Sequence, residues 1–550
     1  MLAIPSQEIG QPIPNNTPHA VSVTLPTWEA TVGYEEGQEW VTSKMNSGYP
    51  RFFIHGKIQE LCKLVEGKFG RENEKAFIFP SYNVAKRCRE FVKEKSVNNP
   101  SVRILQLTTQ PPKTKEEESY RKEAKIAVVF IPKEESPLAK NYWQHSGEGI
   151  SSRLGEYVLQ ELQIAENNLQ EDKDKEYKLF IEERFGRNLN LSFVNEAKQA
   201  LKRRIAGTLR ENDEDLKIEV QRSVSEDDIF LYPSGMASIF NAHQAILKTL
   251  PNEKSVCFGF PYVDTLNILK KFGPGVHFYG FGDDDSLNEL EQQLEKGLKI
   301  LGFFCECPSN PLLRTPNLIK IRELANKFKF PVIVDETVGN FLNIDVLPYT
   351  DIVVSSLTKV FSGDSNVMAG SLVLNPSSPF YNEFKNYFEN NYEDLFWAED
   401  AIYLERNSRD FQTRSQKINI TSEAVVELFQ KHSSSLIKEI YYPKVNDTRK
   451  YYDQIKNEHG GYGGLISIVF YNPEVARVFF NELSLSKGPS LGTNFTLACP
   501  YAVLAHYQEL DEVENWGVDR NLVRISIGLE EQQDLLDVLQ HALNIASASA

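Results

Sequence analysis

Lys359 closes the run Ser356-Leu357-Thr358-Lys359, behind the apolar stretch DIVVSS and ahead of SGDSNVMAG. A lysine at a strand end is ordinarily solvated. Here two hydroxyl residues stand one and three positions before it, and on extended backbone Ser356 and Thr358 point the same way. A primary amine beside short neutral donors suits a cofactor that carries both an aldehyde and a phosphate. The amine condenses with the aldehyde, and hydroxyls hold the phosphate without salt-bridging the amine. Asp335, in PVIVDET, ends an apolar strand 24 residues earlier. Burying a carboxylate there is costly without a partner. A protonated pyridine nitrogen is a suitable one, because the carboxylate keeps the ring cationic and able to absorb electrons. The structural alternative for Asp335 is a helix N-cap or a loop turn.

Two further segments fit a planar, phosphorylated ligand. In Tyr232-Pro233-Ser234-Gly235-Met236-Ala237 a strand runs through a small-residue turn into the helical stretch ASIFNAHQAIL. Free backbone N–H groups at such a helix start bind phosphate, and Gly235 lets the backbone approach closely. In Phe260-Pro261-Tyr262, behind SVCFGF, an aromatic residue at a strand end can stack on a ring. Each segment alone reads as ordinary strand–turn–helix or core. Together they point to pyridoxal 5'-phosphate (PLP).

In order and spacing, the phosphate turn, the stacking tyrosine, CECPSNP, VDET and SSLTK resemble the Cys/Met-metabolism PLP enzymes of fold type I. The resemblance runs from about Phe185 to the C-terminus. Within that family the details are most similar to the fungal cystathionine γ-synthase branch, through VDETVGNF, SSLTKVFSGDSNVMAGS, ISSR and the long N-terminal extension. The resemblance implies Lys359 as Schiff-base lysine and proton shuttle, Asp335 on the pyridine nitrogen, and Tyr262 stacked on the ring and assisting proton transfer. It implies phosphate contacts from the N–H groups of Gly235 and Met236, the hydroxyls of Ser356 and Thr358, and Arg187 across a dimer interface. Asn310 would lie near the ring oxygen. Arg524, in LVRISIGLEE, would hold the substrate's α-carboxylate, which a bidentate guanidinium suits, with Ser490 beside it.

The implied reaction is γ-replacement, in which an O-acyl-L-homoserine (succinyl or acetyl) and L-cysteine give L-cystathionine. Cystathionine lyase or homoserine sulfhydrylase activity on the same scaffold is the alternative, and a non-catalytic interaction protein is a rival of another class. Several positions depart from the family pattern and bear on substrate choice. Phe185 supplies no hydroxyl where tyrosine is usual, Glu336 replaces the common Asn, Asp364 and Asn366 replace His and Asp, and SLGTNFTL lacks a glycine and an acid.

Positioning these residues requires a particular scaffold. Between Ile229 and Asn375, the runs SVCFGF, KILGFFCE, PVIVDET, DIVVSS and AGSLVLN alternate with helical stretches such as NLIKIRELANKFKF. Near-continuous apolar strands separated by helices predict an α/β fold with a mostly parallel sheet covered on both faces, and ligands collect beyond the C-terminal strand ends of such sheets. A smaller C-terminal α/β domain follows, with strands LISIVFYN and LVRISIGL and a last helix QQDLLDVLQHALNIA. The expected division is an N-terminal extension at 1–150, a large PLP-binding domain at 151–385 and a small domain at 386–550. In the extension, FIFPSYNVAKRCREFV reads as strand, turn and helix and IAVVFIP as a buried strand, without chemistry. Asn167 to Lys178 suggests a surface insertion, and NEAKQALKRRIAGTL places Ala197, Leu201, Ile205 and Leu209 on one helix face.

Composition narrows the partners. The 550 residues are 41% hydrophobic and carry a net charge of -16, which disfavours nucleic acid. No run approaches the length of a membrane helix, and the N-terminus lacks a signal-peptide or transit-peptide pattern. Six cysteines in so long a chain make no disulfide framework, and the C-x-C of Cys305 and Cys307 lacks zinc-site spacing. Reduced thiols in the cytoplasm and no metal are expected. Family sites built across an interface imply a homodimer or homotetramer.

Overall fold

The computed structural model describes residues 8–50, 52–170, 190–207 and 224–549. Its centre is a seven-stranded sheet made of β6 (Ile229–Tyr232), β7 (Ser255–Phe258), β8 (Val276–Tyr279), β9 (Phe303–Glu306), β10 (Val332–Asp335), β11 (Ile352–Ser356) and β12 (Gly370–Leu374). The spatial order is β6-β12-β11-β10-β9-β7-β8. Only β12 runs against the rest, pairing antiparallel with both β6 and β11. The sheet is therefore mostly parallel, as its apolar runs predict. Those runs follow from burial on both faces: every residue of β6, β7, β9 and β12 is buried. Phe303, Val334 and Val353 pack on one side, and Phe304, Ile333 and Val354 on the other with helix Gly235–Thr249.

Strand direction decides where the chemistry collects. β6, β7, β9, β10 and β11 all run the same way, so their C-terminal ends lie along one edge. The segments carrying Ser234 to Met236, Tyr262, Asn310, Thr337 and Lys359 leave the sheet from that edge, where ligands bind such folds.

Two smaller sheets flank it. β13 (Ile437–Tyr441), β14 (Leu465–Phe470), β15 (Ser486–Lys487), β16 (Leu497–Pro500) and β17 (Val523–Ser526) form a five-stranded sheet in the order β13-β14-β17-β16-β15. Helices Phe411–Gln430 and Gln532–Ala548 supply Val425, Phe429, Leu539 and Leu543 to its core. Near the N-terminus, β3 (Glu74–Phe79), β4 (Arg103–Thr108) and β5 (Lys125–Pro132) make an antiparallel sheet with β5 in the middle. Ser81 caps the helix Tyr82–Lys95 by accepting from the Val84 N–H, which gives the strand–turn–helix read from FIFPSYNVAKRCREFV its stop and start.

Residues 8–50 and 52–55 form an arm with a two-residue ladder, β1 (Pro12–Ile13) against β2 (Ser22–Val23), and a short helix, Trp28–Glu35. Ala197, Leu201 and Ile205 are buried on one face of the helix Val194–Ile205. Leu209, and the part of the charged 167–178 stretch beyond residue 170, lie outside the described residues. No helix among the described residues is long and apolar enough to cross a membrane.

Candidate active site

One cavity opens at the C-terminal strand edge, and Gly235, Met236, Tyr262, Asn310, Asp335, Ser356, Thr358, Lys359, Ser490 and Arg524 all line it. Arg187 and Phe185 lie outside the described residues.

The phosphate-turn segment is built as a cradle. Ser234 caps the helix Gly235–Thr249 through the Ala237 N–H, which leaves the N–H groups of Gly235 and Met236 as first-turn donors without a helical acceptor. Gly235 presses on the end of β11: a Cβ there would stand 2.6 Å from the Cβ of Ser356. Ser356 thus faces the same free N–H groups. Thr358 is turned partly inward, with its hydroxyl 3.1 Å from the Ala369 N–H it accepts and 3.3 Å from the Ala369 carbonyl.

Asp335 lies beside Glu306, its partner across the β9–β10 ladder. Its Oδ1 accepts from the Thr337 N–H at 2.9 Å and hydroxyl at 2.6 Å. Thr337 Oγ1 in turn accepts the Ser356 N–H at 2.8 Å, which ties the carboxylate to the cradle. Glu306 accepts the N–H of Asn310 at 2.9 Å and that of Tyr262. Burial pushes the carboxyl of Asp335 above its ordinary range, and burial followed by the charge of Asp335 does the same to Glu306. Two neighbouring buried acids held against ionisation in this way fit a cation placed between the strand ends.

Lys359 is buried. Its Nζ donates to Ser490 Oγ at 2.9 Å and to Tyr49 Oη at 3.1 Å. Arg524, on β17, donates to the Ser490 carbonyl at 2.7 Å and to Asn310 Oδ1 at 2.9 Å, and its guanidinium carbon lies 4.6 Å from the ring centroid of Tyr501. Ser490 holds φ = 90°, a strained value for a residue with a side chain. The strain places its carbonyl toward Arg524 and its hydroxyl toward Lys359. These residues fit PLP: an amine, N–H and hydroxyl donors for a phosphate, and a carboxylate for a ring nitrogen.

Two of the departures from the family pattern meet in space. Asn494, in SLGTNFTL, donates to Asp364, just after the lysine, at 2.6 Å. Its oxygen accepts from Arg414 at 3.1 Å. The loop SLGTNFTL thus partners the residue that stands where His is common.

The N-terminal region corrects the expectation that it holds no chemistry. His19, Tyr49, Phe52, His55 and Trp143 line the cavity. His19 lies 2.9 Å from Ser152 Oγ and 3.1 Å from Glu156. No local sequence pattern marks these residues, because their part in the site depends on packing between distant segments.

The family model for Cys/Met metabolism PLP-dependent enzymes matches residues 208–544, and the model for the N-terminal domain of fungal trans-sulfuration enzymes matches 57–151. A cystathionine γ-synthase of Saccharomyces cerevisiae is 46% identical across 98% of this chain and 99% of its own. One from Neurospora crassa is 45% identical across 99% of each. In fold, the chain is similar to a crystal structure of cystathionine γ-synthase from Xanthomonas oryzae (TM-score 0.53, 22% identity, 64% of this chain and 99% of that one). The chain belongs to the Cys/Met metabolism family of PLP-dependent enzymes.

Proposed function

We propose that this enzyme carries out γ-replacement, joining an O-acyl-L-homoserine, succinyl or acetyl, to L-cysteine and releasing the acid and L-cystathionine. Bound in the cavity, PLP supplies an electron sink that acidifies the Cα and Cβ protons of an amino acid. The cradle of Gly235, Met236, Ser356 and Thr358 would hold the phosphate, with Arg187 as the further contact that the family resemblance assigns across a dimer interface. Asp335 would keep the ring nitrogen charged, and Tyr262 and Asn310 would help to hold the ring. Lys359 Nζ is the amine that would hold the aldehyde carbon, and it is the base placed to move the proton at the substrate's Cα. Arg524 orients the substrate by its α-carboxylate, exchanging its contacts with Asn310 and Ser490 for the ligand.

One observation carries the reading. Lys359 Nζ and Arg524 meet the same residue, Ser490, at 2.9 Å and 2.7 Å. A carboxylate held by this arginine therefore sets its own Cα within reach of the amine, which is the geometry a proton abstraction needs. The naming of full-length relatives supports γ-replacement among the family's reactions. A homodimer or homotetramer is part of the reading, since Arg187 is assigned to a neighbour's site. Six unpaired thiols suit a reducing compartment such as the cytoplasm.

The test is incubation of the PLP-loaded enzyme with O-acyl-homoserine and cysteine, followed by mass analysis. Cystathionine is expected. Ammonia and a keto acid as the only products would make it a lyase, and failure with cysteine but not with sulfide would make it a sulfhydrylase.

A further inference from the structure

Residues 8–55 lie outside both matched regions, 57–151 and 208–544, yet they deliver a side chain directly to Lys359. The arm is fastened to the two loops that carry the reactive amine and its neighbour. The Val21 N–H donates to the Ser365 carbonyl at 2.8 Å and the Leu25 N–H to the Lys487 carbonyl at 2.9 Å. Ser22 Oγ donates to the Pro489 carbonyl at 2.7 Å, and Lys487 Nζ to the Pro26 carbonyl at 3.0 Å. The arm lies so flush on Gly488 that a Cβ there would stand 2.0 Å from the Val23 carbonyl oxygen. Ser365 follows Lys359 on one loop, and Pro489 precedes Ser490 on the other. At its far end the arm turns back on itself: the Asn46 N–H reaches the Gly10 carbonyl at 3.0 Å, and the Phe52 and Phe53 N–H groups both reach the Tyr49 carbonyl.

This anchoring sets Tyr49 Oη 3.1 Å from Lys359 Nζ, with the nitrogen 5.0 Å from the ring centroid. An aromatic residue that only filled space would not need to turn its hydroxyl onto the reactive nitrogen. A lysine that acts as a base is a neutral amine, with two N–H donors and one lone pair. Tyr49 and Ser490 accept both N–H groups, one from the arm and one from the small-domain loop, and together they fix the direction of the lone pair.

We propose that Tyr49 is a positioning residue for Lys359, so that the N-terminal arm completes the site by holding the amine in line with the substrate's Cα. The inference rests on Lys359 being the base. It does not depend on which nucleophile the enzyme accepts.

The test is Tyr49→Phe in the full chain loaded with PLP. The variant keeps the ring and removes only the hydroxyl. Cofactor content and melting temperature are read first, then kcat, KM and the rate at which a bound amino acid exchanges its α-hydrogen in D2O. Loss of alignment at a reacting atom costs up to about 10²-fold. The expected result is unchanged cofactor content and KM, with kcat and α-hydrogen exchange falling together by about 10- to 100-fold. Exchange at the wild-type rate overturns the proposal. So does loss of cofactor or of the fold, which would make the hydroxyl a structural element. Lys359→Ala, run in parallel, separates the two readings. If that variant still exchanges the α-hydrogen, the assignment of the base has failed, independently of Tyr49.

Discussion

Gly235→Ala adds a single carbon at the phosphate cradle, and its consequence can be worked out from neighbouring atoms. The new Cβ would stand 2.6 Å from the Cβ of Ser356 and 2.9 Å from its Cα. Carbon atoms pack best at about 3.5–4.0 Å, so the methyl group arrives about 1 Å too close. Ser356 has no easy retreat. It is paired with Gly370 in the sheet, and its N–H is held by Thr337 at 2.8 Å. Gly370 is itself flush against the turn, since a Cβ there would lie 2.2 Å from the Ser234 carbonyl oxygen.

The helix start must therefore move outward, at a cost of about 1–3 kcal/mol for overpacking. That movement carries the Gly235 and Met236 N–H groups away from the phosphate. A hydrogen bond to a charged group is worth about 1.5–3 kcal/mol, which corresponds to about a 10- to 100-fold weaker affinity for PLP. Titration of the PLP-free variant with PLP, followed by absorbance, reads this directly, with circular dichroism to confirm the fold. A folded Gly235→Ala protein that binds PLP as tightly as the wild type refutes the placement of the phosphate at this turn.

Two further outcomes follow from the same geometry. Arg524→Lys keeps the charge but cannot span the two acceptors that the guanidinium reaches, so KM for the amino-acid substrate should rise by about 10- to 100-fold with a smaller change in kcat; an unchanged KM would remove Arg524 from the carboxylate site. Glu306 binds its proton more tightly folded than unfolded, because burial and then Asp335 raise its pKa. Its favourable contribution is therefore complete below the ordinary carboxylate range and is lost as pH rises toward the raised value, at up to about 1.4 kcal/mol per pH unit. Urea unfolding of the PLP-free protein between pH 5 and 8 should show that decline, and Glu306→Gln should flatten it; equal slopes would contradict the assignment.

The central sheet was legible because its strands are buried on both faces and read as uninterrupted apolar runs, such as Val332–Asp335 and Ile352–Ser356. The site residues were legible because a parallel sheet gathers its strand ends. Asp335, Ser356 and Lys359 are separated in sequence but leave one edge. Glu306 sits at the end of a strand and within the CECPSNP motif, but it was given no role. Its importance depends on register, which places it beside Asp335, and register is a property of pairing. Tyr49 was hidden for a different reason. It stands in an irregular arm with no period to read, and its contact with Lys359 spans 310 positions. Asp364 and Asn494 were visible as departures, but their mutual hydrogen bond was not.

The central claim is that PLP is joined to Lys359 while Asp335 supports the far side of its ring. Borohydride reduction of the PLP-loaded enzyme, followed by proteolysis and mass spectrometry of the peptides, tests it most directly. The account predicts a phosphopyridoxyl group on the peptide containing Lys359, and its loss in Lys359→Ala. Label on another lysine, or a Lys359→Ala protein that remains yellow and turns over substrate, would contradict it.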